Sequence, residues 1–211
     1  MSSLYERDLE LLVEHSRIIG IDEAGRGSWA GPVVVAACIL DYDFPIVGLN
    51  DSKKLGYSRR AELYDRIVLS CVSYKIVEIT ADYIDKHNIL RATMLGMIQA
   101  ADALTLGHCL IDGNQIPKGF PYPAQAVVRG DATHACIAAA SILAKVHRDR
   151  LMEKLHLSYP RYRFDLHRGY GTKLHLSALQ EHGACKEHRM SYKPLQSLET
   201  AVADHAVQND Q

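Results

Sequence analysis

One stretch constrains this chain more than any other: Ile18-Ile19-Gly20-Ile21-Asp22-Glu23-Ala24-Gly25-Arg26-Gly27. Its apolar half reads as a buried strand. The strand ends in two adjacent carboxylates, which repel each other and lose solvation unless a cation meets them. The Gly-Arg-Gly turn that follows lets the backbone approach a ligand closely. Acids at a strand end beside an open, amide-rich turn suggest a metal next to a phosphate, and the rest of the chain must supply the other ligands.

Two further apolar runs end the same way. Residues 109–113 close on Asp112, and residues 126–131 close on Asp131. An Asp after one strand is ordinary turn chemistry. Three such endings point to a shared site, because open α/β sheets bind ligands at strand ends. The run at 32–40 reads as a second buried strand, antiparallel to the first because the connection is short. Apolar spacing predicts helices over 3–15 and 58–71, with Ser58 as N-cap, and a third strand over 72–79. Thr80 caps a short helix, Asn88 precedes a longer one, an alanine-rich helix covers 137–155, and a last helix runs over 172–181. This order predicts a mixed α/β layer fold: an antiparallel start, then strands reached through crossovers. At 211 residues with no low-complexity linker, one domain over 1–195 and a flexible tail over 196–211 are expected.

Composition enters where it excludes. No apolar run reaches the roughly 20 residues of a membrane helix, and the polar N-terminus is unlike a signal peptide. The five cysteines form no CxxC pair, which suits reduced thiols and a cytoplasmic protein. The eleven histidines include no HExxH and no zinc-finger spacing. The net charge of −1 hides a basic segment: residues 141–195 hold 11 of the 24 Lys and Arg but only 5 of the 25 Asp and Glu. Within it, residues 159–173 interleave Arg161, Arg163, His167, Arg168 and Lys173 with Tyr159, Tyr162, Phe164 and Tyr170. Basic groups give phosphate affinity and aromatics stack on bases or sugars. Tyr170, between two glycines, is the expected direct substrate contact.

The acids offer oxygen ligands only, which favours Mg²⁺ or Mn²⁺. Four carboxylates suit two ions about 3.5–4 Å apart, holding the attacking and leaving oxygens of a phosphodiester displacement. Asp22 and Asp112 are the candidate central ligands, with Glu23 and Asp131 completing the shells. Backbone amides at Gly25 and Gly27 could hold a phosphate or sugar hydroxyl, and Arg26 could pair with a phosphate. Ser52 and Lys53, in Asp51-Ser52-Lys53-Lys54, offer a second phosphate site.

In order and spacing, these residues resemble the ribonuclease HII family, the type 2 ribonucleases H. The resemblance rests on IDEAGRG at 21–27, AGPVV at 30–34, DSKKL at 51–55, NIL at 88–90 and IDGN at 111–114. It continues through GD at 130–131, IAAASILAKVHRD at 137–149, HRGYGTKLH at 167–175 and HRMSYKPL at 188–195. It implies a ribonuclease H-like mixed five-stranded sheet flanked by helices, with a helical C-terminal region. It implies Mn²⁺- or Mg²⁺-dependent endonucleolytic cleavage of RNA in RNA–DNA hybrids, and cleavage 5′ to ribonucleotides embedded in duplex DNA, leaving 5′-phosphate and 3′-hydroxyl ends. The family's four catalytic acids fall on Asp22, Glu23, Asp112 and Asp131. Its ribose-reading turn falls on Gly25, Arg26 and Gly27, and its substrate-sensing tyrosine on Tyr170. Arg26 and the short N-terminal segment fit type HII rather than HIII, which usually carries an extra N-terminal domain. Ser28-Trp29 depart from the family's usual Pro-Leu, and His134 and His147 from small hydroxyl residues; Trp29 is expected in the core. A monomer is expected, and the tail shows no clamp-binding peptide. Two other readings are a non-catalytic nucleic-acid-binding module, indifferent to metal, and another nuclease of the same fold, which would not need the Gly-Arg-Gly turn or Tyr170.

Overall fold

The apolar half of the organising stretch forms β1, Ile18–Ala24, with six of its seven residues buried. The structure, a computed structural model, describes residues 3–50, 52, 55–104 and 107–197. β2, Val33–Ile39, is buried throughout and pairs antiparallel with β1, placing Ala36 opposite Asp22. On its other side β1 runs parallel to β4, His108–Asp112, with Ile21 opposite Ile111. That register brings Asp22 and Asp112 to the same end of adjacent strands. β5, Ala124–Val127, extends the sheet parallel to β4, and β3, Ser73–Ile79, flanks β2, giving the order β3-β2-β1-β4-β5. This is the mixed α/β arrangement that the element order predicted and the five-stranded sheet flanked by helices that the resemblance implied.

The helices are α1 (Ser3–Leu12), α2 (Tyr57–Ser70), α3 (Ala81–His87), α4 (Ile89–Asp102), α5 (Ala135–Ser158), α6 (Phe164–His167) and α7 (Lys173–His182). Thr80 and Thr172 cap α3 and α7 by accepting from the N–H groups of Tyr83 and His175. Ser58 is not a cap: α2 begins one residue earlier, with Gly56 in the capping position and its carbonyl accepting from Arg60. No helix among the described residues is long and apolar enough to cross a membrane.

Asp131 does not end a strand. β5 stops at Val127, Arg129 takes a left-handed conformation (φ 56°), and Asp131 lies in the 3₁₀ turn Gly130–Ala132 that leads into α5. The turn still buries the carboxylate-bearing residue.

The chain forms two compact units. The first runs to Ala24 and adds Val34–Glu78 and Thr93–Arg148; the second comprises Gly25–Val33, Ile79–Ala92 and the chain from Asp149 onward. In the first, one core joins Ile19, Ile21, Val35, Ala37 and Ile111 from the sheet to Met97, Ala100 and Ala101 of α4. α5 meets β1 at Gly20, where an added Cβ would stand 2.1 Å from the Cys136 carbonyl carbon, so only glycine admits this approach. Asp8 of α1 then acts as a remote cap, its Oδ2 accepting from the Cys136 N–H at 2.8 Å and from the Tyr42 hydroxyl at 2.8 Å. The second unit has its own core of Ala30, Met152, Tyr162, Phe164, Ala178 and Leu179, backed by Trp29 and Tyr159.

Candidate active site

In the first unit the end of β1 presents Asp22, 5% exposed, as the centre of an acid cluster. Its Oδ1 accepts from the Glu23 N–H at 2.7 Å. The Ser141 hydroxyl of α5 also bonds its carboxylate. Ser141 Oγ lies 2.9 Å from Ser52 Oγ. Ser52 thus backs the hydroxyl that meets Asp22, whichever of the two serines donates. Burial first, then the charges of Glu23 and Asp112, push the Asp22 carboxyl well above the ordinary carboxylate range.

Asp112 ends β4, and its Oδ1 accepts from the Gly130 N–H at 2.7 Å. A Cβ on Gly130 would come within 2.4 Å of the Ile137 side chain and 3.3 Å of Asp112 Oδ1, so the residue before Asp131 must be small. The structure thus brings Asp22, Glu23 and Asp112 into one electrostatic cluster, and Asp131 adjoins the residue that holds Asp112. Among the described residues, no three acidic, histidine or cysteine side chains stand so that they could hold a metal ion. The donor set nevertheless fits a hard divalent cation: it is oxygen only, and the like-charge load on Asp22 is what such a cation relieves. Taking it up would require the carboxylates to turn toward it.

The recognition candidates lie in the second unit. Gly25 has φ 93°, a conformation that favours glycine. Gly27 differs: a Cβ there would meet nothing within 4 Å. Packing therefore does not explain its lack of a side chain, whereas a ligand approaching the backbone would. Arg26 is exposed. Sequence reasoning missed the residue that shapes this turn. Arg189, fully buried, donates from Nε and Nη2 to the Gly31 carbonyl at 3.0 and 2.8 Å, and from Nη1 to the carbonyl of Arg26 and the Tyr192 hydroxyl, each at 3.0 Å. Tyr192 in turn donates to the Arg26 carbonyl at 2.6 Å. Arg189 belongs to the HRMSYKPL match, but an irregular segment carries no periodicity to mark one basic residue as buried.

The 159–173 segment is less open than its composition suggested. Tyr162 and Phe164 are buried in the unit's core, and Arg168 pairs with Glu153 at 2.6 Å. Tyr170 remains 37% exposed, alongside exposed Arg161, Arg163 and Lys173. Ser52 is buried against Ser141, while Lys53, with Asp51 and Lys54, lies outside the described residues. Trp29 is half-buried against the Tyr162–Phe164 core, His147 Nε2 pairs with Glu78 at 2.7 Å, and His134 Nδ1 bonds the Thr133 hydroxyl at 2.9 Å.

The family model described as ribonuclease HII matches residues 19–195. A ribonuclease HII from Xanthomonas campestris pv. campestris (strain B100) is 53% identical over 193 residues, covering 88% of this chain and 80% of its own. One from Xylella fastidiosa (strain M12) is 53% identical over 195 residues, covering 91% and 83%. The crystal structure of the ribonuclease H2 from Pyrococcus horikoshii OT3 superposes with a TM-score of 0.74 at 25% identity, over 88% of this chain and 98% of that one.

Proposed function

The chain belongs to the ribonuclease HII family, divalent-metal-dependent endonucleases with ribonuclease H activity on RNA–DNA hybrids, and from that premise we propose that it also cuts duplex DNA 5′ to embedded ribonucleotides, leaving 5′-phosphate and 3′-hydroxyl ends. The observation that carries the reading is Asp22, buried among like charges with its carboxyl held well above the ordinary range. That arrangement is costly in a metal-free protein and useful in a metal-loaded one.

Asp22, Glu23, Asp112 and Asp131 would hold Mn²⁺ or Mg²⁺, which when bound supplies an activated water and offsets charge on the departing 3′ oxygen. The chain's own groups prepare this. Ser141, backed by Ser52, and the Glu23 N–H orient the Asp22 carboxylate, and the Gly130 N–H orients Asp112. Gly25, Arg26 and Gly27 would read the ribose 2′-hydroxyl. A hydroxyl selected by hydrogen bonds is a strong discriminator, since a deoxyribose leaves those groups unpaired. Tyr170 would pack near the 2′-hydroxyl and the following deoxyribose, and Ser52 and Lys53 would serve a second phosphate.

The test is a DNA duplex holding one ribonucleotide, incubated with purified protein and Mg²⁺ or Mn²⁺. A cut on the 5′ side, abolished by chelator and by Asp22→Asn, is expected. An uncut duplex, or full activity in Asp22→Asn, overturns the reading.

A further inference from the structure

Three histidines of the second unit, His167, His175 and His188, are buried together beside Tyr162 and Phe164. Nothing in the reading above uses them, and their ring nitrogens face groups whose chemistry fixes the position of every proton. His175 Nδ1 lies 3.1 Å from the carbonyl oxygen of Tyr170. A carbonyl only accepts, so that nitrogen carries hydrogen. In a neutral ring Nε2 is then a bare acceptor. Nε2 of His188 lies 3.0 Å from it and must be the donor. Nδ1 of His188 is then bare, and it faces the Cys185 N–H at 2.9 Å. The opposite polarity, with His188 Nδ1 donating to the Cys185 carbonyl at 3.2 Å, would force a charged His175. Burial instead holds the pKa of both rings down to about 4. His167 obeys the same logic separately: Nε2 donates to the Tyr162 carbonyl at 2.7 Å, and Nδ1 accepts from the Gly169 N–H at 3.2 Å.

The chain ends on the one aromatic of this segment that keeps a large exposed face. The Tyr170 N–H donates to the His167 carbonyl at 2.9 Å, and the Tyr170 carbonyl, besides facing His175, accepts from the Thr172 N–H at 2.9 Å. Its neighbours are clamped by close approach. The Trp29 N–H donates to the Gly169 carbonyl at 2.8 Å. A Cβ on Gly171 would stand 2.2 Å from the Trp29 indole, and one on Gly169 would stand 2.5 Å from the Ala30 carbonyl oxygen. The Trp29 ring also lies 5.5 Å from that of His175.

We propose that Cys185, His188 and His175 form a one-way hydrogen-bond relay, from the Cys185 N–H through both imidazoles to the Tyr170 carbonyl, and that His175 is thereby a positioning residue for ribonucleotide recognition by Tyr170. This rests on the role given to Tyr170 above. Neutral rings with each donor matched to an acceptor make a rigid buried network. A tyrosine that senses a sugar needs its backbone fixed before the substrate arrives.

Two measurements on the full chain test it. Nitrogen-15 NMR at neutral pH reads the tautomers: hydrogen on Nδ1 of His175 and on Nε2 of His188 is expected, and an Nε2-protonated or charged His175 overturns the relay. Cleavage of a DNA duplex holding one ribonucleotide tests its purpose. His175→Phe should lower kcat/KM by roughly ten- to a hundredfold. His175→Asn keeps a donor near the place of Nδ1 and should recover most of that loss. In a Tyr170→Ala background, His175→Phe should cost nothing further. Equal loss in the Phe and Asn variants, or an additive loss in the double variant, overturns the positioning role. Full activity of Tyr170→Ala overturns the reading of Tyr170 and with it the relay's purpose, whereas a wrong tautomer overturns the relay and leaves that reading standing.

Discussion

In the first unit, Asp22 is buried beside Glu23 and Asp112, and its carboxyl is driven upward first by burial and then by those two charges. In the second, His175 and His188 are buried as deeply, yet the acceptors and donors around them match neutral rings at distances of 2.9 to 3.1 Å. The two clusters differ in what they lack. The acid cluster carries like charges that a cation would relieve; the histidine cluster matches its donors to acceptors within itself. An incomplete buried polar group marks a place where a ligand supplies the missing term, while a complete one marks where shape is being fixed.

The sharpest way to break this contrast is to remove the titratable group from one member of each. Asp22→Asn should lower cleavage on the order of a thousandfold or more, as loss of a central catalytic group does. In metal-free buffer it should also raise the melting temperature by a few degrees, since about 1 kcal/mol corresponds to roughly 2–4 °C in a chain of this size. His188→Leu should move stability the other way, because it leaves His175 Nε2 and the Cys185 N–H unpaired in the interior. Calorimetry of both variants decides the point: a destabilised Asp22→Asn or a stabilised His188→Leu would erase the distinction.

Removing a charge from a fully satisfied site should cost more still in stability. Arg189→Met strips the Gly31 carbonyl of both its guanidinium donors and leaves the Arg26 carbonyl to Tyr192 alone, and should destabilise by about 2–4 kcal/mol. Arg189→Lys should recover only part of it, because a single ammonium cannot reproduce the guanidinium fork. Chemical denaturation measures both, and a lysine variant as stable as the parent would show that charge alone, rather than the fork, shapes the turn.

These residues also show where sequence reading succeeds and where it stops. Asp22, Glu23 and Asp112 were legible because an apolar run ending in acid is a local pattern, and the parallel β1–β4 register turns that pattern into proximity. Asp131 was legible as a buried acid but not as part of a 3₁₀ turn, because β5 is short and the left-handed Arg129 that ends it has no glycine to announce it. The helices announced themselves by spacing and by Thr80 and Thr172 at their starts. Arg189, Ser141 and the histidine relay were invisible. Arg189 and Ser141 act on partners far along the chain, the histidines meet one another between residues 167 and 188, and nothing in a residue's neighbours says that its guanidinium, hydroxyl or imidazole will be buried against a carbonyl or carboxylate.

The pH dependence of stability should carry opposite signs in the two units. Burial raises Asp8 in the first unit to about 6, with Oδ1 buried and unpartnered among the described residues. The folded state then keeps a proton that the unfolded chain has lost, so this contribution to stability falls as pH rises from about 4 to about 6. His175 and His188, lowered to about 4, do the reverse: the unfolded chain binds protons that the folded rings refuse, so stability is lost as pH falls from the ordinary histidine range toward about 4. Asp8→Asn should therefore steepen the rise of stability between about pH 4 and 6, by about 2–3 kcal/mol across that window. Melting curves in buffers spanning pH 4 to 7 read the slope, and an unchanged slope in Asp8→Asn would show that the carboxyl is not carrying the proton.

The smallest stability effect separates the two glycines of the turn. Gly25 holds φ 93°, so Gly25→Ala forces an L-residue into a strained conformation and should cost about 1–2 kcal/mol. Gly27 has no such demand and open space where a methyl would go, so Gly27→Ala should change stability by no more than about 0.5 kcal/mol. If its bare backbone serves an approaching sugar, the same methyl should lower cleavage at an embedded ribonucleotide about tenfold, a barrier change of about 1.4 kcal/mol. Gly25→Ala would then lose stability and activity together, while Gly27→Ala would lose activity alone. A fully active Gly27→Ala would mean that the space around this glycine is merely solvent, and the ribose-reading role would have to rest on Gly25 and Arg26 without it.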